Sequence, residues 1–236
     1  MARTEYDRLL DEGRGIHGGL DAGRPGRGGG YWPLWVPAQA LRLNYHVTVS
    51  GRHHVAPGPG ILIGNHISML DPVIAGFTSR WRLAFFTKIE AYRGLSGAFL
   101  RLVGQIPLKR GDEASTRWAL AMAHEVLLQG RKLGIYPEGT RSADGRSLYR
   151  LHRRVLVPIL EANPGVPVHA MAIRYGTRRR GRVPVRLSYS PALHLDPEAM
   201  SADALTETVT AAILRAGGMP YIPMFGQAAK RRPAGS

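Results

Sequence analysis

The chain has 236 residues, of which 44% are hydrophobic, so it is long enough to bury a sizeable core in one domain. Its 32 Lys and Arg outnumber 17 Asp and Glu and give a formal net charge of +15, which favours an anionic partner: lipid headgroups, nucleic acid or an acidic carrier protein. Because the sequence contains no cysteine, disulfides, thiolate metal sites and cysteine nucleophiles are excluded.

The amino-terminal segment, residues 1–30, is rich in glycine and arginine, a composition typical of a flexible extension outside the fold. It has no apolar core of the secretory type, and no apolar run in the chain approaches the roughly 18–20 residues that a membrane-spanning helix needs. Tyr31, Trp32 and Trp35 follow as an aromatic cluster. This cluster either caps the core or anchors the chain among lipid headgroups.

Past residue 60, short apolar segments typical of buried strands alternate with helical patterns. Strands are predicted at 61–64, 83–86, 105–108, 132–137, 166–175 and 183–190, and helices within 90–104, over 113–129 and around Leu205, Val209 and Ile213 up to Gly217. This alternation predicts a single α/β domain with a largely parallel or mixed central sheet flanked by helices. We expect the domain to cover residues 31–220 and a basic tail to cover residues 221–236.

Three polar stretches stand at the ends of predicted strands, where sheets of this kind carry their chemistry. They read GNHISMLDP, GQIPLKR and YPEGTRS, and they start at positions 64, 104 and 136. The first contains a histidine and an aspartate, and the other two contain cations. We expect the three stretches to meet at one edge of the sheet.

The first stretch has two interpretations that are compatible with each other. Asp71 before Pro72 is typical of a helix start, with the aspartate as N-cap. Alternatively, the loop from His66 curls back, and the Asp71 carboxylate holds one imidazole nitrogen so that the other is free to act as a base. The three stretches contain no obvious enzyme nucleophile, since Ser68 is better suited to a backbone hydrogen bond. The group to be deprotonated would therefore belong to a substrate.

The third stretch carries groups suited to an anionic ligand. Arg141 offers a planar fork for phosphate or carboxylate, Thr140 adds a hydroxyl donor, and Gly139 lets the backbone approach a ligand closely. Glu138 cannot bind an anion, and we expect it to accept a hydrogen bond from a hydroxyl or to hold Arg141. The alternative for this stretch is an ordinary surface turn.

In this order and at these separations, NHISMLD, GQIPLKR and YPEGTRS resemble three signature blocks of the glycerolipid acyltransferase superfamily, which includes lysophosphatidic acid acyltransferases. The resemblance covers roughly residues 40–190, and three blocks in order are specific where one alone is weak. Tyr136 replaces the phenylalanine that is usual in the third block. Ala170 stands where the second proline of the fourth block is expected, a departure that concerns the identity of the substrate.

The resemblance implies a fold like that of glycerol-3-phosphate acyltransferase and transfer of a fatty acyl group from a thioester to a hydroxyl. The acceptor would be a phosphate-bearing lipid such as 1-acylglycerol-3-phosphate, and the product phosphatidic acid. It also implies that His66 is the general base and that Asp71 orients it. The implied substrate-binding residues are Arg110, Glu138, Gly139, Thr140 and Arg141. Asn65, Ser68, Lys88 and Lys109 are further candidate site residues.

The resemblance further implies acyl-CoA or acyl carrier protein as the donor, a lysophospholipid as the acceptor, and neither a metal nor a permanently bound cofactor. The basic surplus suits an anionic membrane surface and predicts a peripheral protein on the cytoplasmic, inner face of the cell membrane. Another lysophospholipid, an amino-lipid or a glycolipid remains an alternative acceptor. A basic nucleic-acid-binding protein is the non-enzyme alternative, but neither a zinc pattern nor an aromatic RNA-binding signature accompanies the charge. No specific nucleic acid is expected.

Overall fold

A computed structural model of the protein describes residues 4–27, 39–79 and 81–231. Seven strands of this part of the chain form one sheet, and two more form a small separate sheet. The seven are β1 (Tyr45–Ser50), β2 (Gly60–Gly64), β3 (Leu83–Lys88), β4 (Ile106–Leu108), β5 (Lys132–Ile135), β7 (Val168–Tyr175) and β8 (Val183–Ala192), and the two are β6 (Leu148–Tyr149) and β9 (Tyr221–Ile222).

The helices of the described ranges include every helix that the periodicity predicts, with ends within a few residues of the predicted ones. Two further short turns of 3₁₀ helix cover Arg52–His54 and Ile89–Tyr92. The α-helices are α1 (Glu5–Ile16), α2 (Leu41–Asn44), α3 (Asp71–Thr78), α4 (Gly94–Val103), α5 (Glu113–Leu128), α6 (Arg153–Glu161), α7 (Ala202–Gly217) and α8 (Gly226–Arg231).

The strand order in the large sheet is β1-β8-β7-β2-β5-β3-β4. Strands β7, β2, β5, β3 and β4 run parallel to one another, whereas β8 pairs antiparallel with β7 and carries β1 parallel to itself. The prediction of a largely parallel or mixed sheet flanked by helices is confirmed. The carboxyl ends of the five parallel strands lie at one edge of the sheet, which we call the carboxyl edge.

Both faces of the sheet are covered by apolar side chains, as expected for parallel strands. On β2, Ile61 and Ile63 belong to a core that includes residues of α1, α5, α6 and α7, while Leu62 points to the other face and packs with α3 and β8. These three side chains are fully buried. Since burial of one such side chain stabilises by about 1.5–3 kcal/mol, the centre of the sheet holds the strand ends firmly.

Residues 4–27 do not lie outside the fold, so the prediction of a flexible extension is wrong for this part. Helix α1 packs against α5: Tyr6 and Leu9 are buried, and the Trp118 indole N–H donates to the Leu9 carbonyl over 2.6 Å. Gly13 allows this approach, because a Cβ there would lie 2.6 Å from the Trp118 ring. The aromatic cluster of residues 31–35 lies outside the described residues.

The prediction of a basic tail beyond the domain is also wrong for residues 221–231, because these residues dock on the domain. Strand β9 pairs in parallel with β6, and the Phe225 ring stacks on His152 with centroids 4.3 Å apart. Helix α8 follows directly. The segment therefore lies against the stretch that follows β5.

Helix α4 turns its apolar stripe outward. Leu95 is 92% exposed and Leu102 is 41% exposed, while Gly97 and Val103 face inward. The spacing of the leucines predicts the helix correctly but not which face is buried. None of the described helices has both the length and the apolar character to cross a bilayer.

Candidate active site

The carboxyl edge brings the three polar stretches together, as predicted. Asn65 and His66 follow β2, Lys109 and Arg110 follow β4, and Glu138 to Arg141 follow β5. Strand β2 lies between β7 and β5, so the first and third stretches leave neighbouring strands. The site is therefore assembled from segments that are distant in sequence and adjacent in the sheet.

At the end of β2, the loop curls back and places the Asp71 carboxylate against His66. The His66 Nδ1 lies 2.9 Å from Asp71 Oδ2, and the same oxygen accepts the backbone N–H groups of Ile67 and Ser68 over 2.6 and 2.8 Å. Asp71 is the first residue of α3, and Leu70 takes the N-cap position without a side-chain cap. The aspartate thus binds the preceding loop, and the N-cap prediction is wrong by one residue.

Tyr175 completes the surroundings of the carboxylate. Its hydroxyl donates to Asp71 Oδ1 over 2.7 Å from the end of β7. Burial, followed by the charge of Asp71, raises the pKa of the Tyr175 hydroxyl, which therefore keeps its proton. No motif of the sequence pointed to Tyr175; it stands 104 positions after Asp71, and only the strand order brings the two together.

Asp71 accordingly meets four donors, three at Oδ2 and one at Oδ1. Its side chain is fully buried, whereas that of His66 is 20% exposed. With the carboxylate as acceptor, the proton of neutral imidazole stays on Nδ1. Among the described residues no hydrogen bond occupies His66 Nε2. Its lone pair is available for a proton.

Three stacked rings fix the plane of the imidazole. His66 lies over Tyr136 with centroids 4.5 Å apart and an interplanar angle of 10°, and Tyr136 lies over Phe85 at 5.1 Å and 6°. Such contacts contribute about 0.5–1.5 kcal/mol each beyond area burial. Tyr136, which replaces the usual phenylalanine of the third block, keeps the aromatic surface that the stack needs.

Asn65 and Ser68 shape the loop. The Asn65 amide accepts from the Ile173 N–H and donates to the Ile173 carbonyl, both over 2.9 Å, and so continues the pairing of β2 with β7 by one residue. It is fully buried. The Ser68 hydroxyl accepts the Leu70 N–H over 3.2 Å, the backbone bond that the sequence predicts. Both side chains therefore position His66 from its two sides.

Glu138 also binds backbone, which corrects its predicted role in substrate binding. Its two oxygens accept the N–H groups of His66 over 2.7 Å and Tyr149 over 2.9 Å, and the residue is 1% exposed. Burial raises the pKa of Glu138 to about 7, although both hydrogen bonds act to lower it. Glu138 thus connects the histidine loop to the stretch after β5, and among the described residues it forms no ion pair with an arginine.

Substitution of Glu138 by glutamine should lower kcat and leave the KM for the acceptor nearly unchanged. Glutamine has one acceptor oxygen for two N–H donors, so one backbone group, at His66 or Tyr149, loses its partner at a cost of about 1–3 kcal/mol. Steady-state kinetics with varied acceptor separates the two parameters. A raised acceptor KM with unchanged kcat would show instead that Glu138 is a substrate-binding residue.

The same variant changes the pH dependence of stability. The folded protein holds the Glu138 proton up to about pH 7, whereas the ordinary pKa is 4.5. The free energy of unfolding that this group contributes is therefore present below pH 4.5 and is lost as the pH rises through 7. We measure the free energy of unfolding of the wild type and of Glu138→Gln by denaturant over this pH range. As the pH rises, the value for the wild type should fall relative to that for Glu138→Gln.

The cationic side of the site is open to solvent. Arg110 and Arg141 are exposed, and neither forms an ion pair with any described residue. Lys109 differs, because its ammonium is paired with Asp112 at 3.1 Å. Lys88 is exposed at the end of β3. Of the predicted cations, only Lys109 has a carboxylate partner among the described residues, so the charges of Arg110, Arg141 and Lys88 are left for an external anion.

The turn that precedes Arg141 is formed by Gly139 and Thr140. Gly139 has a left-handed φ of 66°, and a Cβ there would lie 3.1 Å from the His152 ring. Burial, and then the charge of Arg110, lower the pKa of His152, so its ring is neutral at pH 7. The Thr140 hydroxyl accepts a hydrogen bond from Lys230 of α8. Within the described ranges no group of three or more His, Asp or Glu side chains is placed to hold a metal ion.

The sequence model of the Acyltransferase family matches residues 46–174, more than half of the chain. A 1-acyl-sn-glycerol-3-phosphate acyltransferase of Chlamydomonas reinhardtii is 30% identical over 114 residues, 47% of this chain. One of Borreliella burgdorferi is 31% identical over 101 residues, 42% of this chain. These matches span only 34% and 40% of the relatives' own lengths.

Among solved structures, the chain resembles the 1-acyl-sn-glycerophosphate acyltransferase PlsC of Thermotoga maritima. The TM-score is 0.59 at 26% sequence identity, and the match covers 84% of this chain and 78% of that one. The likeness thus extends beyond the residues that the family model matches.

Proposed function

This chain belongs to the acyltransferase family, and from that premise we propose that it moves a fatty acyl group from an acyl thioester to the hydroxyl of 1-acylglycerol-3-phosphate, giving phosphatidic acid. The observation that carries the proposal is a histidine with one nitrogen held by a buried aspartate and the other unoccupied by any described residue. The unpaired arginines Arg110 and Arg141 belong to stretches that end at the same edge.

In the proposed reaction His66 Nε2 takes the proton of the acceptor hydroxyl as its oxygen attacks the thioester carbonyl. The new C–O bond forms and the C–S bond breaks, and the imidazolium returns the proton to the leaving thiolate. Asp71 stabilises the imidazolium that forms in between, because its carboxylate already accepts the Nδ1–H. General base catalysis of this kind contributes about 10²–10⁴-fold. An acyl thioester is the only further reactant, and the scheme uses no resident cofactor.

The choice of a phosphate-bearing acceptor rests on charge. Arg110 and Arg141 lack carboxylate partners among the described residues, and a guanidinium binds phosphate through two parallel hydrogen bonds. An acceptor with an anionic headgroup would therefore be oriented with its hydroxyl toward His66. A second lysophospholipid, an amino-lipid or a glycolipid remains an alternative acceptor, and CoA and acyl carrier protein are alternative carriers of the donor. Nucleic-acid binding, the non-enzyme alternative, accounts for the positive net charge but not for the hydrogen-bonded pair of His66 and Asp71.

One incubation tests these choices together. Purified protein is given acyl-CoA or acyl carrier protein loaded with the same chain, each with a panel of lyso-lipids, and the lipid products are identified by mass. We expect acyl transfer to 1-acylglycerol-3-phosphate above all other acceptors. Transfer confined to a neutral lyso-lipid would overturn the acceptor, and thioester left intact with every acceptor would overturn the reaction.

We further propose that the carboxyl edge faces an anionic membrane, at the cytoplasmic surface of the cell. Met69, between His66 and Asp71, is 74% exposed, and Leu95 at the start of α4 is 92% exposed. The loop that leaves β7 at the same edge adds four exposed arginines, Arg178, Arg179, Arg180 and Arg182. Apolar side chains that enter a bilayer beside cations that contact headgroups would hold the site at its lipid substrate.

Leu95→Glu should weaken co-sedimentation with vesicles of an anionic phospholipid by about tenfold, because an apolar side chain that enters the bilayer contributes roughly 1.5–3 kcal/mol. The matched control is Leu128→Glu. Leu128 is 66% exposed and ends α5, just before β5 enters the sheet from the opposite edge. Equal binding of both variants and the wild type would remove this surface from the proposal.

A further inference from the structure

Lys230 reaches the signature stretch from the far end of the chain. Its ammonium donates to the Thr140 hydroxyl over 2.9 Å, across 90 positions of sequence. Thr140 stands between Gly139 and Arg141, in the block that offers donors to an anion. A residue from outside all three polar stretches therefore touches the centre of the candidate phosphate site.

This contact is held by a docked segment. The Arg150 N–H donates to the Met224 carbonyl over 2.9 Å, next to the pairing of β9 with β6. The Phe225 ring lies parallel to His152, with an interplanar angle of 8°. Gly226 is buried, and a Cβ there would come within 3.1 Å of the Thr140 methyl group. The backbone that carries Lys230 is thus fixed directly against the turn at Thr140.

The charge of Lys230 is not neutralised by the protein. None of the ion pairs among the described residues includes Lys230 or Arg141. Partial burial, and then the charge of Arg141, lower the pKa of Lys230, although Glu138 acts in the opposite sense. An ammonium has three N–H donors, and Thr140 takes one of them. Two like charges with spare donors, close enough for the charge of Arg141 to act on Lys230, match an anion that accepts from both.

We infer that Lys230 is a substrate-binding residue that contacts the acceptor phosphate beside Arg141 and favours a phosphate monoester. The Thr140 hydroxyl, which accepts from Lys230, keeps its own proton to donate to a phosphate oxygen. A monoester carries about 1.5–2 negative charges near pH 7, whereas a diester carries one. The additional cation therefore adds more to the binding of a terminal phosphate than to that of a diester headgroup. The inference rests on the proposed acyl transfer to a phosphate-bearing lipid.

Lys230→Met, which keeps the aliphatic stem, tests this inference. The KM for 1-acylglycerol-3-phosphate should rise about tenfold, the effect of one charged hydrogen bond, while kcat and the KM for the thioester stay the same. The KM for a lysophospholipid with a diester headgroup should change less. Lys230→Arg should restore most of the lost affinity, because it returns a cation at the same place.

The matched control is Arg231→Met, which removes one charge from the same helix without a hydrogen bond to the signature block in the structure. It should leave the acceptor KM unchanged. An equal rise in both variants would assign the effect to the general field of the protein and overturn the inference. Equal losses for monoester and diester acceptors with Lys230→Met would do the same.

A measurement without turnover separates this inference from the proposed function. Inorganic phosphate should raise the Tm of the wild type and should do so at about tenfold higher concentration for Lys230→Met. The Tm without phosphate should be the same in both proteins, since a lysine that merely fastens α8 would lower it when removed. Wild-type protein that binds phosphate but transfers no acyl group would refute the proposed function alone. Equal phosphate dependence of the two proteins would refute the role of Lys230.

Discussion

Replacing His66 by alanine is expected to lower kcat for acyl transfer by about 10²–10⁴-fold. The substitution removes the group that accepts the proton of the acceptor hydroxyl, and within the described residues no other base stands at Asp71. The fold should survive, because the His66 side chain is partly exposed and its backbone N–H keeps its bond to Glu138. Thioester consumption in the presence of 1-acylglycerol-3-phosphate is the measurement.

His124→Ala is the matched control for this prediction. His124 is a half-buried histidine of α5 whose ring bonds the Asn163 side chain over 2.8 Å, away from the carboxyl edge. We expect it to retain wild-type kcat, with at most a small loss of Tm. A His66→Ala protein with a native Tm and undiminished turnover would dismiss the histidine as the base.

The second large effect is expected from Asp71→Asn, with kcat reduced by up to about 10⁴-fold, the loss known for the wrong histidine tautomer in Ser-His-Asp triads. The asparagine amide donates where the carboxylate accepted, so the imidazole proton moves to Nε2 and the base is lost. Asparagine also has one acceptor oxygen for the four donors that meet at Asp71. Single-turnover kinetics with saturating substrates reports the chemical step.

Tyr175→Phe gives the comparison that isolates the tautomer. It removes the single hydrogen bond to Asp71 Oδ1 and leaves the carboxylate against His66. The reduction in kcat should therefore be much smaller than for Asp71→Asn. If both variants lose kcat to the same extent, Asp71 acts through the packing of the loop and not through the state of the imidazole.

The part of the site that sequence could predict is local. Between His66 and Asp71 the chain leaves a buried strand and enters a helix that begins at Asp71, and a loop that short has to curl. The curl brings the carboxylate to the ring, as predicted. Strand alternation likewise predicted the edge at which the three stretches meet, because parallel strands place their carboxyl ends on one side.

The remainder depended on contacts between distant segments. Tyr175 reaches Asp71 because β7 lies next to β2, and no property of the tyrosine itself indicates that order. Glu138 has the residue type of a ligand-binding group but is turned inward by two backbone donors. The glycine content of residues 1–30 indicated a flexible extension and not helix α1. Gly13 of this helix is the residue that allows contact with Trp118. The basic composition of residues 221–236 indicated a tail, whereas the segment that carries Lys230 docks on the domain.

The proposed reaction is a direct transfer to an alcohol that His66 deprotonates, and no acyl group is bound to the protein at any step. The decisive measurement is the mass of every species after the purified protein is mixed with an acyl thioester, with and without 1-acylglycerol-3-phosphate. We predict that thiol is released only when the acceptor is present, that the acceptor gains one acyl chain, and that the intact protein mass does not change. An acylated protein, or free fatty acid beside unmodified acceptor, would contradict it.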